Sequence, residues 1–120
     1  MKKILVVEDD KFLMSTYRLK LQAADFETKF ASNGEEALEI LNNFKPDLIL
    51  LDLIMPIKDG FSTLEEIKAN PVLSKIPVVV ASNLGQPEDI SKSKKLGALD
   101  YIVKRDVTLS DLINKIKKYL

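Results

Sequence analysis

The chain of 120 residues contains no cysteine and no histidine. Without cysteine there is no disulfide framework, no thiolate nucleophile and no thiolate-ligated metal. Without histidine there is no Ser–His dyad, no imidazole-ligated zinc and no phosphohistidine on this chain. Net charge is lacking too. Eighteen Lys+Arg balance eighteen Asp+Glu, which removes any global attraction to nucleic acid or anionic lipid. No apolar run reaches the roughly 18 residues that a membrane span needs. The opening MKKILVVEDD meets acid too soon for a signal peptide. What remains for chemistry is carboxylates, hydroxyls, lysines and a hard metal ion, and the expected location is a reducing cytoplasm.

What is present is a globular composition. Residues are 46% hydrophobic and 30% charged, which is too apolar and too neutral for a disordered chain. The length suits one domain over 1–120. A chain of this size buries about two-thirds of its unfolded surface, enough for a core without staples. No internal linker, repeat or low-complexity segment divides it.

The apolar pattern alternates between two periods. Short runs rich in Val, Ile and Leu lie at Ile4–Val7, Leu48–Leu51, Val78–Ala81 and Tyr101–Val103. Apolar on both faces, they suit central parallel strands. Glu27–Ala31 alternates more and reads as a strand nearer an edge. Helical spacing lies between. Leu13, Tyr17, Leu21 and Ala24 share a face, as do Ala37, Leu38, Leu41 and Phe44, with Asn33 and Glu36 spaced as a capping box. Phe61, Leu64 and Ile67 follow, stopped by Pro71. The segment Pro87–Leu96 is poor in large apolar residues, with only Ile90 and Leu96, and Gly97 suits a C-terminal cap. Leu109, Leu112, Ile113 and Ile116 mark the last helix, with Thr108 or Ser110 near its start. The order is (βα)₅, an α/β doubly wound parallel sheet. In such sheets ligands sit beyond the carboxyl ends of the strands.

The strand ends carry the chemistry. The first run ends at Glu8, Asp9 and Asp10, the third strand at Asp52, the fourth at Ser82 and the fifth at Lys104. Taken singly, Asp10 reads equally well as a helix N-terminal acid, Ser82 as a turn residue and Lys104 as a solvated lysine. Asp52 is harder to dismiss, because it stands between LILL and Leu53–Ile54–Met55, where an unpaired carboxylate is costly. Two carboxylates about 4 Å apart repel by roughly 4 kcal/mol at an effective dielectric near 20. Three acids together require a cation. Lys104 supplies one charge, and a hard divalent ion with oxygen ligands, Mg²⁺, suits the rest. Such a pocket can take up a phosphoryl group on a carboxylate, with a lysine and a hydroxyl to hold its oxygens.

With these residues in place, ILVVEDD, LILLDLIMPIKDGF, PVVVAS and GALDYIVK resemble the response-regulator receiver domain of two-component signalling, over essentially the whole chain. The resemblance implies a flavodoxin-like, five-stranded sheet in the order 2-1-3-4-5. It implies that Asp52 accepts a phosphoryl group from a phosphohistidine on a histidine kinase or phosphotransfer protein. Glu8, Asp9, Asp52 and the backbone carbonyl of Ile54 would bind Mg²⁺. Ser82 would hydrogen-bond the phosphoryl group and Lys104 would pair with it. Tyr101 would be an aromatic switch that turns inward, and Asp59–Gly60 would form the loop turn after Met55–Pro56. Slow loss of the phosphoryl group would be the only turnover.

The chain departs from the family pattern in places. Arg105 stands where proline usually follows the lysine, so a trans bond and a different local loop are expected. Ile54 and Leu84 are apolar rim positions, and Asn83 fills a position that is usually small. Phe12 and Met14, off the core face of the first helix, are expected with Arg105 and Asp106 to form the kinase dock. Output is expected through the fourth helix, fifth strand and fifth helix to a downstream protein, with no nucleic acid or membrane bound by this chain. A phosphorelay shuttle, or a receiver cut from a longer regulator or hybrid kinase, fits the same motifs. Met1 directly before the first strand favours a natural start. Among rivals, an aspartyl-phosphate phosphatase would want an acid where Ile54 stands. A flavin carrier would not place Glu8–Asp10 against a cofactor phosphate. A degenerate scaffold would not keep every key position chemically competent.

Overall fold

The central strands are apolar on both faces because helices cover both. The computed structural model describes residues Met1–Leu120. In chain order it contains β1 (Lys3–Val7), α1 (Lys11–Ala23), β2 (Glu27–Ala31), α2 (Gly34–Ile40), β3 (Leu48–Leu51), α3 (Gly60–Ala69), β4 (Val78–Ser82), α4 (Pro87–Lys95), β5 (Asp100–Val103) and α5 (Leu109–Lys117). Every pairing is parallel, in the order β2-β1-β3-β4-β5, the doubly wound flavodoxin-like arrangement expected from the sequence. Val7 pairs with Leu51, Leu51 with Val80, and Ser82 with Val103, so the carboxyl ends of β1, β3, β4 and β5 lie side by side.

Successive side chains of a strand point to opposite faces, and the two faces build two cores. Leu5, Val7, Ile49, Leu51 and Val80 pack toward α2, α3 and α4, with Leu64 and Ile67 fully buried. Ile4, Val6, Leu48, Leu50 and Val79 pack toward α1 and α5, against Tyr17, Leu21, Leu112 and Ile116. β2 is the outer strand beside β1, and its alternating exposure fits the weaker pattern of Glu27–Ala31.

Several boundaries differ from the sequence reading. α2 ends at Ile40, so Leu41 is its C-cap and Phe44 lies beyond it, buried all the same as the chain turns back to the sheet. Asn33 caps α2 by accepting from Glu36 N–H at 2.9 Å, but the Glu36 carboxylate reaches Ser32 N–H at 3.0 Å instead of the cap residue. Ala24 is the C-cap of α1 and not part of its buried face. Thr108, not Ser110, caps α5, in a reciprocal box with Asp111. Gly97 takes φ +110 just after α4, a left-handed stop that suits glycine.

Candidate functional site

The acid and base groups gather where β1, β3, β4 and β5 end. Glu8 follows β1, and its N–H continues the ladder to Ala31 O at 2.9 Å; the side chain is only 3% exposed. Asp52 follows β3, its N–H bonded to Val7 O at 3.0 Å, and is also buried. One of its oxygens, Oδ1, accepts from Leu53 N–H at 2.8 Å. Asp9 is exposed between Glu8 and the start of α1. Asp10 is the N-cap of α1, accepting from Leu13 N–H at 3.0 Å, while its own N–H donates to Glu8 Oε2 at 3.1 Å. Its capping role is therefore the one the helix requires.

Lys104 reaches in from the end of β5. Its Nζ lies 2.7 Å from Glu8 Oε1 and 3.5 Å from Asp52 Oδ2. One oxygen from each of Glu8, Asp9 and Asp52 falls within 4.8 Å of the others. A cleft of about 390 Å³ results, lined by these three acids with Asp10, Ile54, Ser82, Asn83 and Lys104.

Burial disfavours a charge on Glu8 and, with the Asp52 carboxylate nearby, pushes its pKa from 4.5 up to about 7, against the pull of the Lys104 hydrogen bond. Burial also works against the ammonium of Lys104. The hydrogen bond to Glu8 and the charges of Asp52 and Glu8 outweigh it and hold Lys104 above the usual lysine range. Three carboxylates facing one ammonium, all with hard oxygen donors, fit a hard divalent cation.

The fully buried Ser82 accepts from Leu84 N–H at 3.2 Å through Oγ. The Tyr101 hydroxyl donates to Leu84 O. Both polar groups of the Leu84 backbone are thereby tied, one to β4 and one to β5. Tyr101 is already inward, 8% exposed in the core beneath α4, so a turn from an outward position is not what this structure displays. Leu84 corrects the sequence reading as well. With its backbone tied in this way, its side chain packs on the core and does not line the acidic cleft. Ile54, 58% exposed, and Asn83 do line it.

The loop after β3 is tighter than the sequence suggested. Asp59 and Gly60 are not its turn. Asp59 caps α3, accepting from Ser62 N–H at 2.8 Å, and Gly60 is the first helical residue. A Cβ on Gly60 would lie 2.2 Å from Asp52 O, so glycine is required by the close approach of α3 to the site. The turn is at Ile57. Lys58 N–H donates to Pro56 O at 2.7 Å across an Ile57 with φ 69, a three-residue turn in the left-handed region. Lys58 is anchored by Gly34 N–H to its carbonyl and by an ion pair to Glu66. No sequence signal favours a β-branched residue there.

The proposed docking residues fall in different settings. Phe12 is 83% exposed, but Met14 is half-buried and offers less surface than expected. Arg105 and Asp106 form a loose, exposed pair at 4.0 Å in a 3-10 turn over Lys104–Asp106. All peptide bonds are trans. Tyr17, whose spacing marks it only as a core residue, is also a neighbour of the site. Burial and the charges of Glu8 and Asp52 raise its hydroxyl pKa, and it lines a second cleft that shares Asp10, Asn83 and Lys104 with the acidic one. No helix is long and apolar enough to cross a membrane.

Comparison with known proteins agrees with this geometry. A family model described as the response regulator receiver domain matches residues 4–117. Chemotaxis protein CheY of Halobacterium salinarum is 35% identical over 103 residues, covering 86% of this chain and 84% of that protein. The receiver domain of a signal transduction histidine kinase from Syntrophus aciditrophicus superposes with a TM-score of 0.90 at 32% identity, covering 100% of this chain and 90% of that one. The phosphorylated cyanobacterial phytochrome response regulator RcpA does so at 0.84 and 39% identity, covering 98% and 89%. Many curated relatives are longer, and the chain spans less than half of their length.

Proposed function

Since the chain belongs to the response regulator receiver family, we propose that Asp52 accepts a phosphoryl group from a histidine kinase or phosphotransfer protein and that this switches a protein-interaction surface. The observation that carries the reading is the meeting of Glu8, Asp9, Asp52, Ser82 and Lys104 in one cleft at the ends of four adjacent strands.

Each group has a distinct part. Leu53 N–H holds one oxygen of Asp52 and leaves Oδ2, beside Lys104, free of any backbone donor and available to phosphorus. Lys104 meets the charge that gathers on the phosphoryl oxygens. Ser82 Oγ accepts from Leu84 N–H, and its hydroxyl hydrogen would turn from Tyr101 to donate to one of them. Glu8, Asp9, Asp52 and the Ile54 carbonyl would hold Mg²⁺, which when bound supplies charge neutralisation to the transferring group. Positioning and charge stabilisation are most of what phosphoryl transfer needs, so no separate general base is called for.

Phe12, exposed two residues after Asp10, and the exposed Arg105–Asp106 turn after Lys104 would meet the donor. The α4–β5–α5 face would meet a downstream protein, or the group would pass on to a second phosphohistidine in a relay. The chain is read as one receiver domain that works in the cytoplasm and turns over only its own phosphoryl group. The test is intact mass after incubation with acetyl phosphate and Mg²⁺. One phosphoryl group gained by wild type and none by Asp52→Asn supports the reading. No gain in either, or equal gain in both, removes it.

A further inference from the structure

A second groove, of about 360 Å³, lies between α1 and the chain that runs from Lys104 into α5. It adjoins the acidic cleft and shares Asp10, Asn83 and Lys104 with it. Its character is different. Leu13 of α1 and Leu109 and Leu112 of α5 line it, whereas Ile54 is the one apolar residue of the acidic cleft.

Tyr17 also lines the groove, although it is only 1% exposed. Its hydroxyl makes no hydrogen bond within the chain. It is not sealed off either, because Ser93 Oγ is the one enclosed side-chain polar atom without a partner. The Tyr17 hydroxyl therefore opens into the groove. Buried hydroxyls in folded proteins are paired, so its partner is whatever occupies that space.

Charge narrows the choice of occupant. Burial, and after it the charges of Glu8 and Asp52, keep the Tyr17 hydroxyl protonated, able to donate and to accept. The same two carboxylates disfavour an anion beside it. Lys104 and Arg105 on the groove wall disfavour a cation, and the Asp10 carboxylate is already engaged with Leu13 N–H.

We propose that this groove binds a small uncharged aromatic molecule that carries a ring N–H or O–H. The ring lies against Leu13, Leu109 and Leu112, and its polar edge meets the Tyr17 hydroxyl. The volume suits one or two fused rings, since small-molecule sites begin near about 300 Å³. A molecule held there stands next to the acidic cleft and not in it. The site does not depend on the reading of Asp52 as a phosphoryl acceptor.

The experiment is an amide NMR titration of the whole chain in metal chelator, with indole as the probe. Saturable shifts around Leu13, Tyr17 and Val107–Leu112, with Kd at or below about 1 mM, are expected. Benzoate and benzylammonium, similar in size but charged, should bind at least about tenfold more weakly. Tyr17→Phe keeps the ring, removes the hydroxyl and should weaken indole about fivefold, the effect of one hydrogen bond. Val107→Trp places bulk in the groove from a residue outside both helices and should abolish the shifts. The amide spectrum of each variant shows that it is folded. Shifts that do not saturate, or that scatter over α2 and α3, overturn the inference. So does indole binding that either variant leaves unchanged, or a charged probe that binds as tightly as indole.

Discussion

Lys104 is bonded more closely to Glu8 than to Asp52, at 2.7 Å against 3.5 Å. The cation of the cleft is thus shared between a carboxyl that burial pushes toward neutrality and the one read as the acceptor. Glu8 has a folded pKa of about 7 against 4.5 unperturbed. A carboxyl raised in this way contributes stability that is fully present below the unfolded value and is lost as pH rises through the folded one. In metal chelator, Glu8→Gln should therefore gain on wild type between about pH 4.5 and 7, by at most roughly 3 kcal/mol. Urea unfolding at several pH values reads this directly. A difference that stays constant across the window contradicts it.

The crowded acids make a second prediction. In chelator, Asp52→Asn and Asp9→Asn should melt above wild type, because each removes a like charge from the cluster. Mg²⁺ should stabilise wild type by about 2.7 kcal/mol at a hundredfold excess over Kd, and the variants by clearly less. Thermal melts with and without the ion decide it; variants that melt lower in chelator would show that the acids do not strain one another.

Ile57 holds φ 69, which costs a β-branched residue about 1–2 kcal/mol. Glycine, without a Cβ, adopts positive φ freely. Ile57→Gly should stabilise the protein by up to about 1 kcal/mol, since the side chain is 76% exposed and loses little packing. A destabilised variant in urea unfolding would place the side chain, not the backbone, in charge of that turn.

Hydrolysis of an aspartyl phosphate needs a water held in line with the breaking bond. Ile54 lines the cleft, is exposed, and has nothing with which to orient that water. Ile54→Asn should shorten the phosphoryl half-life about tenfold, the effect of roughly 1.4 kcal/mol of positioning. Leu84 packs on the core and is not a second site for this effect. A phosphate-decay time course in saturating Mg²⁺ that gives equal half-lives would show that Ile54 does not set the lifetime.

The scaffold and the acid cluster were legible because both follow short-range rules. Runs such as LILL and VVVA are apolar on both faces, so a covered parallel sheet is their natural setting, and its strand ends bring Glu8, Asp52, Ser82 and Lys104 together. What escaped the sequence depends on contacts that only the folded chain makes. Leu84 points to the core because β4 and β5 each tie its backbone. Ile57 is forced into a left-handed turn by the anchoring of Lys58 to Gly34 and Glu66. Phe44 sits on the helical spacing of α2 but beyond its end, because its burial comes from the returning chain. Tyr17 has the spacing of a core residue, and only the packing of α1 beside the cleft puts its hydroxyl within reach of the acids' charge.

The central claim is that the strand-end cleft directs a phosphoryl group to one carboxylate. Borohydride reduces an acyl phosphate to an alcohol, so it converts a phosphorylated aspartate to homoserine and leaves free aspartate intact. After acetyl phosphate and Mg²⁺, peptide mass mapping should find homoserine at position 52 and at no other, and none when the metal is chelated. Homoserine at Asp9 or Asp10, or spread over several acids, would contradict the account.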